Sequence, residues 1–79
     1  MNYEEVLALV LDKRYGSVRE LVKNLYNHGE HSCDIGKILW GADVASSKAV
    51  AAVVADYAAN GENGWTPALF RAMDDAGLL

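Results

Sequence analysis

The feature that most constrains this chain is its punctuation. Five short segments with helical apolar spacing follow one another, each opened by a residue suited to capping a helix and closed by glycine or a polar turn. With 79 residues in all, none is left over for a second lobe. The sequence therefore predicts one all-α domain over residues 1–79, a compact five-helix bundle whose surface, not a reaction centre, carries its function. A chain this small buries a modest share of its surface, so every apolar face matters to stability. The hydrophobic share of 52% fits a folded domain and not a disordered one.

The first segment runs from Tyr3 to about Tyr15. Asn2 is placed to cap it, and Glu5 stands at the spacing of a capping box. Tyr3, Val6, Leu7, Val10 and Leu11 form its apolar stripe, and Gly16 is its expected left-handed stop. Ser17 and Glu20 repeat the box at the start of the second segment. There Val18, Leu21, Val22, Leu25 and Tyr26 give the cleanest helical face in the chain, and Gly29 ends it. The third segment is short: Ser32 or Asp34 caps it, and Ile35, Ile38, Leu39 and Trp40 supply an apolar patch between Gly36 and Gly41.

The fourth segment spans about Asp43 to Asn60 and carries Val50, Val53, Val54 and Tyr57 ringed by alanines. Small side chains permit close approach on several sides, so this segment is expected to be the central helix, with Gly61 as its stop. After a turn at Gly61-Glu62-Asn63-Gly64, Thr66 reads as an N-cap and Pro67 as the first helical residue. Trp65 and Phe70 have the spacing of a hydrophobic staple, and Leu69, Phe70, Met73 and Ala76 are the expected buried face. Leu78, just past Gly77, is placed to fold back onto the last turn in a Schellman contact.

Charge narrows the function classes. The net charge of −4 argues against nucleic acid, because counterion release needs clustered Lys and Arg. Its distribution is uneven. Residues 13–23 carry Lys13, Arg14, Arg19 and Lys23 against Glu20, while residues 56–79 carry Asp56, Glu62, Asp74 and Asp75 against Arg71. A bipolar chain suits a head-to-tail contact between two complementary patches. The single cysteine, Cys33, leaves no disulfide framework and points to a reducing cytoplasm. Glu4 and Glu5 stand where a signal peptide would be basic. The longest apolar run, Ala49–Ala55, is far short of the ~20 residues needed to cross a bilayer, so no membrane role is expected.

Candidate chemistry is sparse. His28, His31, Cys33 and Asp34 place every metal-ligand type in one loop, but a structural zinc site wants four nitrogen or sulfur ligands and no others complete the set. Neither metal nor cofactor is expected. Cys33 beside His28 or His31 has the composition of a nucleophile and base, yet no third group orients them and no glycine-rich oxyanion loop is present, so no enzyme is expected. Asp74 and Asp75 point about 100° apart on a helix and are poorly placed to share a proton. Near the negative end of the last helix they cost a little stability, which favours an interaction role. Trp40 and Trp65 read first as core anchors and, where exposed, as partner hot spots. The partner-binding candidates are thus Arg14, Arg19, Lys23, Asp74, Asp75, Trp40 and Trp65.

Four stretches carry a resemblance. They are Val6-Leu7-Ala8-Leu9-Val10 before the Tyr15-Gly16 turn, Ser17-Val18-Arg19-Glu20-Leu21-Val22, Val50-x-x-Val53-Val54-x-x-Tyr57-Ala58-x-x-Gly61, and Leu69-Phe70-Arg71-Ala72. In order and proportion these resemble the effector-associated domains of bacterial conflict and defence proteins, a death-like helical superfamily. The resemblance implies a non-catalytic adaptor that binds its like, with weak homo-oligomers, or recruits an effector. A different class of function also suits a small, acidic, helical chain beginning at Met1. That class is a phage-encoded, anti-CRISPR-like inhibitor that binds a host defence protein by surface mimicry.

Overall fold

The computed structural model describes residues 1–79. Five helices follow one another: α1 Tyr3–Val10, α2 Gly16–Tyr26, α3 Ile35–Leu39, α4 Val44–Asn60 and α5 Thr66–Asp75. Two 3₁₀ turns, Lys13–Tyr15 and Gly61–Asn63, lead into α2 and out of α4. The fold is an all-α bundle without strands, as the punctuation predicts.

Several caps form where the sequence places them. Asn2 accepts the Glu5 N–H while the Glu5 carboxylate accepts the Asn2 N–H, closing the capping box on α1. Asp34 caps α3 and Asp43 caps α4, each accepting a first-turn N–H. Gly61 leaves α4 at a positive φ. At the end of α5 the Leu78 N–H reaches Met73 O and the Gly77 N–H reaches Asp74 O. Gly77 sits at φ 70°, completing the Schellman motif.

Three boundaries differ from the sequence reading, each for a local reason. Helix α1 stops at Val10, not near Tyr15, because Asp12 accepts the Arg14 N–H and winds the 3₁₀ turn instead. That turn runs straight into α2. Gly16 therefore sits in the right-handed helical region as the first residue of α2, and the Ser17–Glu20 box does not form. At α5, Trp65 takes the N-cap position and Thr66 is already the first helical residue, so Thr66 does not cap. Asp56 of α4 supplies the missing acceptor, taking the Trp65 N–H at 2.8 Å. The Thr66 hydroxyl is left buried without a partner. Nor do Trp65 and Phe70 pair as a staple. Trp65 meets Tyr3 of α1 edge-on at 5.9 Å, and Phe70 stacks on Tyr26 of α2 at 3.9 Å. Both aromatic contacts fix α5 against its neighbours.

The core draws on all five helices: Val6 and Val10; Val18, Leu21 and Val22; Ile38; Ala49, Val50 and Val53; Leu69 and Met73. The sequence places α4 at the centre. In the fold α4 is the longest wall, and α2 is the helix that packs on each of α1, α3, α4 and α5. The alanines explain the difference. Ala49 is buried, whereas Ala51, Ala55, Ala58 and Ala59 face outward.

Val53 is 1% exposed, so Val53→Asp places an unpaired charge in the core. Loss of the helical circular dichroism signal at room temperature is expected, since the whole stability of such a domain is of order ~5–15 kcal/mol. A soluble, fully helical variant would show that Val53 is not core. Gly64 is constrained by close approach: a Cβ there would collide with the Asp56 carboxylate and lie 3.0 Å from Asn60 Cβ. That carboxylate is held by Trp65 and Asn60 and cannot step aside freely. Gly64→Ala should cost about 1–3 kcal/mol in urea unfolding, the usual range for overpacking; an unchanged midpoint would refute the clash.

Candidate functional site

The two tryptophans part company. Trp65 is half-buried against Tyr3, while Trp40 is 88% exposed on the short connection from α3 to α4. Trp40 is not alone. Ile35 and Leu39 lie one helical turn apart on α3 and both are exposed, and Val44, the first residue of α4, is 70% exposed. The cause is the length of α3. Five residues present one inward position, which Ile38 fills. The other large apolar side chains of the segment, Trp40 included, stay exposed to water. An exposed cluster of large apolar residues with tryptophan among them has the composition of a binding hot spot.

The cationic candidates are not brought together as one free surface. Arg14 is exposed but its guanidinium forms the protein's one ion pair, with Asp12 at 2.7 Å, and lies 5.5 Å from the Tyr15 ring centre. Arg19 points inward along the corner between α1 and α2. It donates to Val10 O, Asp12 O and Lys13 O at 3.2, 2.6 and 3.4 Å, satisfying carbonyls left where α1 stops. Lys23 is half-buried beside a polar cleft of about 410 Å³ in which it shares the lining with Lys37, Glu20, Glu30 and Asp34. Both charge signs meet there. Asp74 and Asp75 are exposed on the last turn of α5 and make no ion pair. Water screens their unfavourable position at the helix end.

The polar loop between α2 and α3 gathers no group of three or more His, Cys, Asp or Glu side chains able to hold a metal. His28 is exposed, and His31 lies 6.3 Å from the Phe70 ring. Burial, then the nearby Glu20 and Asp34 carboxylates, pushes the Cys33 thiol up. A raised thiol is a poor nucleophile at neutral pH.

Around Trp40 the electrostatics are local. Arg14 lies close enough to Asp43 for each to feel the other's charge, which sets the 3₁₀ turn beside the start of α4. Asp43 is held below its ordinary range by the Ser46 N–H it caps. The sequence reading placed Ile35 and Leu39 in an apolar patch and left Val44 unassigned. A signal was available: a helix bounded by Gly36 and Gly41 is too short to bury Ile35, Ile38 and Leu39 together.

No family model matches the chain, and neither the curated proteins nor the solved structures return a match.

Asp12 is pulled down to about 2, first by the Arg14 side chain and then by the Arg14 N–H. Its folded pKa lies below the unfolded value, so its contribution to stability is present above about pH 3.8 and is lost as pH falls towards about 2. An NMR titration should find the Asp12 carboxyl midpoint near about 2. In Arg14→Ala the midpoint should rise part of the way, because the backbone N–H of residue 14 still donates. An unmoved midpoint would show that the guanidinium is not the cause.

Proposed function

We propose that this chain is a non-catalytic protein-binding domain that docks through the apolar face of Ile35, Leu39, Trp40 and Val44. One observation carries the reading: Trp40, 88% exposed, lies outside the core cluster, and Ile35, Leu39 and Val44, all within five residues of it in the chain, are exposed as well. Leaving such a cluster in water has no benefit to a 79-residue fold, whereas a partner that covers it gains the apolar area and an aromatic anchor. The adaptor role implied by the death-like resemblance, recruitment of a like copy or an effector in a bacterial defence system, is the form of this function we favour. Charge steers the encounter and the apolar face holds it, since exposed ion pairs contribute only ~0.2–1 kcal/mol each.

A second reading is favoured by the fate of the arginines. Arg14 is paired and Arg19 is spent on carbonyls, while Glu62, Asp74 and Asp75 have no cationic partner within the chain. An acidic surface left over in this way suits a basic target. That is the arrangement of an anti-defence inhibitor acting on a host defence protein.

Trp40→Ala tests the docking face and should leave the unfolding free energy within about 0.5 kcal/mol of wild type, as expected for a surface change. Cells carrying the surrounding genes should be crosslinked and the wild type, Trp40→Ala and Asp74→Lys/Asp75→Lys compared. A protein held by the wild type and lost from folded Trp40→Ala supports docking through this face. A protein lost only from the double aspartate reversal supports the acidic reading. Identical capture by all three refutes both.

A further inference from the structure

Opposite Trp40 lies a cleft with complementary features. It opens between the end of α2 and the start of α5, walled by Leu25, Tyr26 and Pro67 and completed by Asn27, Glu62 and Thr66. Its volume of about 350 Å³ is at the low end of the ~300–1,000 Å³ range of small-ligand pockets, room for one large side chain. Trp40 precedes α4 and Glu62 follows it. The 17 residues of α4 span about 25 Å at ~1.5 Å each, nearly the full width of a molecule measuring 29 × 27 × 26 Å. Knob and cleft therefore occupy opposite ends of one rigid helix.

We propose that the chain pairs with a second copy of itself, the Trp40 side chain of one copy entering the Leu25–Tyr26–Pro67 cleft of the next. This rests on the reading of the Trp40 face as a docking surface, and it names the partner. Charge complementarity carries the choice. The Trp40 end holds Lys13 and Lys48, neither of them in an ion pair, beside the Arg14–Asp12 pair and the Asp43 carboxylate that caps α4. Lys48 stands one turn beyond Val44 on the same exposed side of α4. The cleft end holds Glu62, with Glu4 and Glu5 at the start of α1, which meets α5 through Tyr3 and Trp65. Neither residues 1–8, 25–29 nor 57–67 contain a Lys or Arg.

The polar fit is also one-sided. An indole N–H only donates, and the cleft supplies the Glu62 carboxylate and the Asn27 amide oxygen as acceptors. Tyr26, already stacked on Phe70, offers a fixed aromatic wall. Because knob and cleft are different surfaces, each contact leaves one of each free. Such a heterologous contact propagates as an open chain or closes into a ring.

Sedimentation velocity over a concentration series tests this. Wild type should associate at low salt and dissociate as salt rises. Trp40→Ala removes the knob; Asn27→Arg with Glu62→Arg blocks the cleft, and Glu62→Lys alone is a milder block. All change exposed residues whose side chains make no hydrogen bond within the protein. Matching circular dichroism melts will verify that each variant folds. Each full variant should weaken self-association at least ~10-fold, the scale of losing one aromatic anchor. Mixed together, the two should form a 1:1 dimer and nothing larger, since one intact knob meets one intact cleft.

A monomeric wild type at low salt, a blocked-cleft variant that associates like wild type, or a mixture that stays monomeric overturns the pairing. If Trp40→Ala still loses a captured partner in those cases, docking through Trp40 stands and only self-pairing falls. If Trp40→Ala self-associates like wild type and captures the same proteins, both fall.

Discussion

Where α1 stops at Val10, its last carbonyls need donors, and the chain must also turn into α2. Arg19 meets both needs. Reaching back from the first turns of α2, its guanidinium donates to Val10 O, Asp12 O and Lys13 O. Hydrogen bonds to a charged group are worth about 1.5–3 kcal/mol, a large share of a small domain's stability. The corner fixes the direction of α2, and α2 in turn packs on every other helix. The valines at 6, 10, 18 and 22 meet in one core because that corner holds. A lysine at 19 would keep the charge but lack the fork that spans several acceptors.

Much of this architecture was legible in the residues. Local caps read well because they depend on neighbours three residues away: Asn2 with Glu5, Asp34, Asp43, and Gly77 with Leu78. The core positions Val6, Val10, Val18, Leu21, Val22, Val50, Val53, Leu69 and Met73 follow from helical spacing. What escaped depends on distant partners. Nothing near Arg19 in sequence announces that it will bridge back to Val10. Nothing near Trp65 announces that it will hold the N-cap position in place of Thr66, or that Asp56, nine residues earlier, will accept its N–H. The Ser17–Glu20 box has the right letters but loses to a 3₁₀ turn that already leads into the helix.

The site was legible by residue type and not by arrangement. Trp40 could be singled out because tryptophan is rare and large, but its exposure follows from the brevity of α3, a property of the fold. Charge totals misled more. A stretch of like-signed residues suggests one patch only if their side chains point to water together, and Arg14, Arg19 and Lys23 go three different ways. What distinguishes the molecule electrically is which charges are already committed inside it and which are left to solvent.

The separation between Trp40 and the core has an evolutionary consequence. Ile38 is the single side chain of α3 buried in the core, so Ile35, Leu39, Trp40 and Val44 can drift without threatening the framework that α2 organises. Proteins lose most mutants to instability before function is ever tested. Here the exposed apolar face is largely released from that filter. Lineages could vary that face freely while the valine interior changes slowly, and relatives would diverge first at Ile35, Leu39, Trp40 and Val44 and last where helices meet.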